Sequence, residues 1–173
     1  MTLCDDIREL TARALWETEN LIACIPDSLW EKRYDGIPMW KYVYHMLYSM
    51  DRWYINPCDS QYQEPSFHQK GLNDLNLVPK DEQISRQEIT AYETAIRRKI
   101  ESDLEGLEDA ALGENPEGCD YSRLKLILGQ FRHWHRHMGL IYGFLIQDEG
   151  KWPYVLNMCA PYPQMDPPVW YDL

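Results

Sequence analysis

The chain has no Cys-x-x-Cys pair, no sustained basic stretch and no apolar run long enough for a membrane, and each absence removes a class of function. Its five cysteines (Cys4, Cys24, Cys58, Cys119 and Cys159) are odd in number and widely scattered, a pattern of free thiols in a reducing compartment rather than of a disulfide framework. The opening Met-Thr-Leu-Cys-Asp-Asp has neither the basic flank nor the apolar core of a secretory leader. The longest apolar stretch, 139–146, is too short to cross a bilayer. Together these predict a cytoplasmic protein with no membrane partner. Seventeen Lys and Arg against 28 Asp and Glu leave a net charge of -11 and a pI near 4.8. Such a surface repels phosphate backbones, so nucleic acid is not expected as a partner. The one short basic cluster, Arg97-Arg98-Lys99, is followed by Glu101, Asp103 and Glu105 and reads as a solvated helix face. Ser-His-Asp spacing, a glycine-rich phosphate loop and H-E-x-x-H are missing too.

What remains is helical periodicity. At 173 residues the chain reads as one domain, 1–173. Leu3, Ile7, Leu10, Ala14, Leu21 and Ile25 recur at helical steps, predicting a first helix over about 5–25 that Pro26 ends, with Thr18 as its one polar break. A loop through Trp30 and Gly36 leads to a second helix, from Pro38 to about Asn56, rich in Trp and Tyr and therefore expected to be enclosed by neighbours. The stretch 57–84 lacks any period and is far longer than an ordinary connection. Ser85 and Glu88 form a capping-box pattern ahead of Ile89, Tyr92, Ile96, Ile100, Leu104 and Leu107, marking a third helix. A fourth is expected over 122–147, capped by Asp120 or Ser122. Gly139 and Gly143 each cost it about 1 kcal/mol relative to Ala, which close approach of another helix, in this chain or a second copy, would explain. A homodimer is expected on that ground.

After Gly150 come five prolines among Trp152, Tyr154, Tyr162, Trp170 and Tyr171, so the tail 151–173 is read as an extended, aromatic segment packed on 1–150. The predicted fold class is all-α: a four-helix bundle with one long crossover and that tail.

The chemistry concentrates in His133-Trp134-His135-Arg136-His137. Residues four apart on a helix lie one above the other, so His133 and His137 can face one ion, whereas His135 sits about 200° round the helix from His133. His45, on the second helix, supplies a third imidazole. Such rings suit Zn, Ni, Cu or Fe, and three protein ligands leave positions open for water or substrate. An ion there would lower the pKa of bound water or of a thiol. The competing reading is that an i,i+4 histidine pair serves as the polar rim of an amphipathic helix. Gln130, one turn before His133, and Tyr48 and Arg52, beyond His45, are candidate substrate or supporting contacts. Arg52 pairing with a carboxylate such as Glu19 is the alternative. His68, in the long connection, is a candidate fourth ligand, with an exposed loop histidine as its plainer reading, and His135 is expected at the surface. Positions three before His45, His133 and His137 hold Tyr42, Gln130 and Trp134, so the Glu-x-x-His of di-iron bundles is absent. No catalytic base can be named.

One histidine in an aromatic second helix followed by His-x-x-x-His in the fourth resembles the DinB/YfiT-like family of metal-binding four-helix bundles. The resemblance rests on Pro38-Met39-Trp40 through His45 to Asp51-Arg52-Trp53, and on His133 through Gly139. It implies a metal triad of His45, His133 and His137, with Zn or Ni as the ion, a small-molecule substrate, and a thiol S-transferase or hydrolase activity that uses a low-molecular-weight thiol. The alternative is a non-catalytic binding or stress-response module whose histidines are structural or vestigial.

Overall fold

A computed structural model of the chain describes residues 2–78, 81–164 and 166–171. It is mostly helical: α1 (Leu3–Cys24), α2 (Asp27–Trp30), α3 (Met39–Trp53), α4 (Arg86–Glu105) and α5 (Arg123–Glu149), with a two-stranded hairpin of β1 (Arg33–Tyr34) and β2 (Ile37–Pro38). Helix α1 packs on α4 and α5, and α3 packs on the same two. No described helix is long and apolar enough to cross a membrane.

The helix starts follow from their caps. Ser85 and Glu88 form the expected box ahead of α4. Thr2 and Asp5 form a second one that starts α1 at Leu3, two residues before the apolar period suggests. Ser122, not Asp120, caps α5, accepting from the Lys125 backbone N–H. Where the sequence suggests a plain loop, 27–38 holds a short helix and the hairpin. Its turn is Asp35-Gly36, both with positive φ (50° and 80°), a conformation that suits Asp-Gly and matches strand twist. Tyr34 stacks on Phe144 at 3.9 Å and donates a hydrogen bond to Asp148, which pins the hairpin to the end of α5.

The core runs between α3 and the other long helices. Trp40, Val43, Tyr44, Met46 and Leu47 on α3 and Trp134, Ile141 and Leu145 on α5 are fully enclosed. Thr18 is fully buried as well. It donates to the Ala14 carbonyl at 2.8 Å and accepts from the Trp134 indole at 2.9 Å, so the polar break in α1 ties that helix to α5. The Arg97-Arg98-Lys99 cluster is not simply a solvated face. Arg97 bonds Glu19 and the Leu15 carbonyl on α1, and Lys99 bonds Asp51 on α3 at 2.7 Å. Only Arg98 of the three is exposed.

The segment after α5 folds back along α1. Tyr154 donates to the Val169 carbonyl and Tyr171 to that of Trp152. Buried Asn20 bonds both arms, donating to the carbonyls of Tyr154 (3.1 Å) and Val169 (2.9 Å) and accepting from Val169 N–H (2.7 Å). Glu17 accepts from the Leu156 N–H at 2.8 Å. Of the stretch expected as tail, residues 165, 172 and 173 lie outside the described residues. The space beside Gly139 and Gly143 is open: a Cβ added at either would meet nothing within 4 Å. No described helix of this chain therefore explains them.

Candidate metal centre

The α3–α5 seam brings His45, His133 and His137 together. Their ring centroids stand 5.5 Å (His45 to His133), 4.5 Å (His45 to His137) and 4.4 Å (His133 to His137) apart. One nitrogen from each ring lies within 4.8 Å of the others. A tetrahedral ion with bonds of about 2.0–2.1 Å needs its ligand nitrogens about 3.3 Å apart, so small side-chain movements would complete the site. His137 is buried and the other two are half-buried.

Two atoms show how well the rings fit an ion. His45 Nδ1 lies 2.6 Å from the Asn73 carbonyl oxygen. A carbonyl can only accept, so Nδ1 carries the proton and Nε2 keeps its lone pair free. A backbone carbonyl behind a ligand histidine is a usual means of fixing its tautomer and orientation. The second atom is His137 Nδ1, which is buried and has no hydrogen-bond partner in the protein. Such an orphan costs about 1–3 kcal/mol unless an ion or water satisfies it.

All three rings are held neutral. Burial lowers the pKa of His45 against the opposing pull of its Asn73 bond. Burial, then His45, Arg136 and Arg132 lower that of His133. Burial, then His45 and His133 with Arg136, push His137 down to about 3. At neutral pH each ring therefore offers a lone pair rather than a charge. The three contribute no negative charge to offset a divalent ion.

A cavity of about 480 Å³ opens beside His133. Trp53, Tyr121 and Leu126 form its apolar walls, and Ser49, Gln130, Lys125 and Arg132 its polar ones. Gln130, which lines this cavity with His133, is buried, and its Nε2 lacks a partner. Lys125 lies over the Tyr121 ring at 4.5 Å.

Other candidates lie elsewhere. Tyr48 donates to Glu64 at 2.8 Å, and Arg52 stacks over Tyr62 at 4.5 Å rather than pairing with Glu19. The α3 residues beside His133 are instead Ser49 and Trp53, four and eight after His45. The i,i+4 row drawn from His45 would have found them where the i,i+3 row led to Tyr48. His68 is outside the triad and is not an exposed loop residue. Its ring stacks on Tyr48 at 5.1 Å and bonds the Tyr44 hydroxyl through Nδ1. His135 is exposed and caps the Phe131 carbonyl through Nδ1 at 2.8 Å. Asn73 was not legible as a site residue, because its contribution is a main-chain carbonyl delivered by the long connection.

Comparison with known proteins leaves this geometry to stand by itself: no protein-family model, no curated protein and no solved structure matches the chain.

Proposed function

We propose that the protein is a mononuclear divalent-metal enzyme of the DinB/YfiT-like type, a thiol S-transferase or hydrolase whose ion is held by His45, His133 and His137. The observation that carries this reading is the convergence of three neutral imidazoles from two helices, one of them with an orphaned buried nitrogen. In it α1, α3, α4 and α5 form a four-helix bundle, with 57–84 as the crossover, in a single domain over 1–173. Zinc or nickel suits the all-nitrogen donor set.

A divalent ion there would acidify a bound water or small thiol, supplying a nucleophile at neutral pH. The surrounding residues prepare the place. Asn73 holds His45 in the tautomer that presents Nε2. Burial keeps all three rings unprotonated. The neutral ligand set favours an anion in the open positions, and the Gln130 amide offers a hydrogen-bond donor where the cavity meets His133. Trp53 and Tyr121 suit an apolar or aromatic body, while Lys125 and Arg132 suit a carboxylate or similar anionic group. The substrate is read as a small electrophile of that shape, taken with a low-molecular-weight thiol.

The test is turnover of 1-chloro-2,4-dinitrobenzene with cysteine or glutathione by protein stripped of metal and reloaded with Zn or Ni. Turnover restored by metal and lost in His137→Ala is expected. Turnover indifferent to metal overturns the enzymatic reading. Stoichiometric metal without turnover across thiol and electrophile panels favours a binding module.

The homodimer belongs to the same proposal, through the open face at Gly139 and Gly143 beside half-exposed Leu140. Small-angle scattering at tens of micromolar should give twice the chain mass, and a monomer mass removes it.

A further inference from the structure

Two cysteines far apart in the chain come together where the chain leaves α3 and where it approaches α5. Cys58 follows α3 and Cys119 precedes α5, and burial, then the neighbouring Cys119 thiol, push the pKa of Cys58 up. A Cβ placed on Gly118, the neighbour of Cys119, would stand 3.7 Å from the Cys58 Cβ, so the two backbones approach closely. Both turns are set by local bonds. The Cys58 N–H donates to the Asn56 side chain at 2.9 Å, and the Cys119 N–H donates to the Pro116 carbonyl at 3.0 Å. Cys58 is exposed and Cys119 buried behind it, and neither is in a disulfide. An accessible thiol with a second, shielded thiol at its back has the layout of an attacking and resolving pair.

We propose that Cys58 and Cys119 are a reversible redox site that closes to a disulfide on reaction with a low-molecular-weight disulfide. In the first step the Cys58 thiolate attacks one sulfur of the small disulfide. The sulfur–sulfur bond of the reagent breaks, one small thiolate leaves, and a mixed disulfide forms on Cys58. In the second, the Cys119 thiolate attacks the Cys58 sulfur and expels the other small thiolate. The protein loses two electrons and the two thiol protons, and the reagent is reduced to two small thiols. The bridge would join the segment that follows Trp53 to the segment that leads into Tyr121. Trp53 and Tyr121 both line the cavity beside His133, so closure would tie two of its lining residues together through short stretches of chain. The inference stands whether or not the histidines bind metal.

Incubation of the full-length protein with oxidised glutathione, followed by intact mass and peptide mapping without reduction, tests it. The expected product has lost two hydrogens, carries a peptide containing Cys58 linked to one containing Cys119, and reverts with dithiothreitol. In Cys119→Ser the reaction should stop with one glutathione on Cys58. In Cys58→Ser neither the adduct nor the bridge should form, which guards against misfolding of the buried variant. A stable glutathione adduct on Cys58 of the wild type, or a bridge from Cys58 to Cys159 or to a second molecule, overturns the proposal.

Discussion

Two seams of the molecule bury polar groups, and they treat them oppositely. Between α1 and the folded-back segment, Asn20 satisfies both its carbonyl and its amide on main-chain groups, and Glu17 finds a partner as well. Only the Tyr142 hydroxyl is left over there among the described residues. Between α3 and α5, the His137 ring and the Gln130 amide each keep a buried nitrogen unpaired, next to two further imidazoles and an open cavity. A buried polar group that is fully paired helps hold a fold together, whereas two unpaired nitrogens beside two further imidazoles leave donors and lone pairs that an ion or water could satisfy.

The largest effect should come from removing a ligand on the unpaired side. His137→Ala and His45→Ala should each weaken Zn or Ni binding by about 100-fold or more, since even outer-shell changes at metal sites cost 10–100-fold. Elemental analysis after dialysis would then read near zero, while wild type retains about one ion per chain. The converse change on the paired side is Asn20→Ala. It strips the side chain's bonds to Tyr154 and Val169 and should cost about 2–4 kcal/mol in urea unfolding, leaving metal content unchanged. If Asn20→Ala empties the site, the two seams are not independent.

Acid should separate them further. In the metal-free protein the folded rings bind protons less readily than the unfolded chain, whose histidines titrate near 6.5, while His137 is down at about 3. The rings' contribution to stability is therefore level above about pH 6.5 and falls as pH drops from there toward about 3, because the unfolded state binds more protons at these histidines across that window. His137→Gln should flatten this slope relative to wild type in denaturation series at stepped pH. An unchanged slope would show that His137 is not held neutral.

The smallest effect is expected at Gln130. Gln130→Met is close in volume and removes the orphaned amide, so stability should change by no more than about 1 kcal/mol, in either direction. A loss of several kcal/mol would place Gln130 among the structural groups instead.

The helices were legible because local chemistry writes them. Ser85 and Glu88 announce α4, and the apolar steps of α1 and α5 survive in the structure with ends moved by a residue or two. The hairpin was also legible in principle, since Asp35-Gly36 is a strong turn signal, but strands of two residues show no alternation to notice. The His133–His137 pair could be read from i,i+4 spacing, whereas His45 joined it as a candidate on another helix and through a family resemblance. What surrounds the three could not. Asn73 acts through its backbone, Cys58 and Cys119 meet only after the chain has folded, and the choice of Ser49 and Trp53 over Tyr48 and Arg52 depends on how α3 is rotated against α5. Such facts belong to packing, which periodicity does not carry.

X-ray absorption at the metal edge, on protein reconstituted with one equivalent of zinc, examines the triad most directly. Three imidazole nitrogens at about 2.0–2.1 Å with one or two oxygen ligands are expected, falling to two imidazoles or to no retained ion in His45→Ala. Zinc held through cysteine sulfur, or not held at all by the wild type, would contradict the assignment of His45, His133 and His137 as a metal centre.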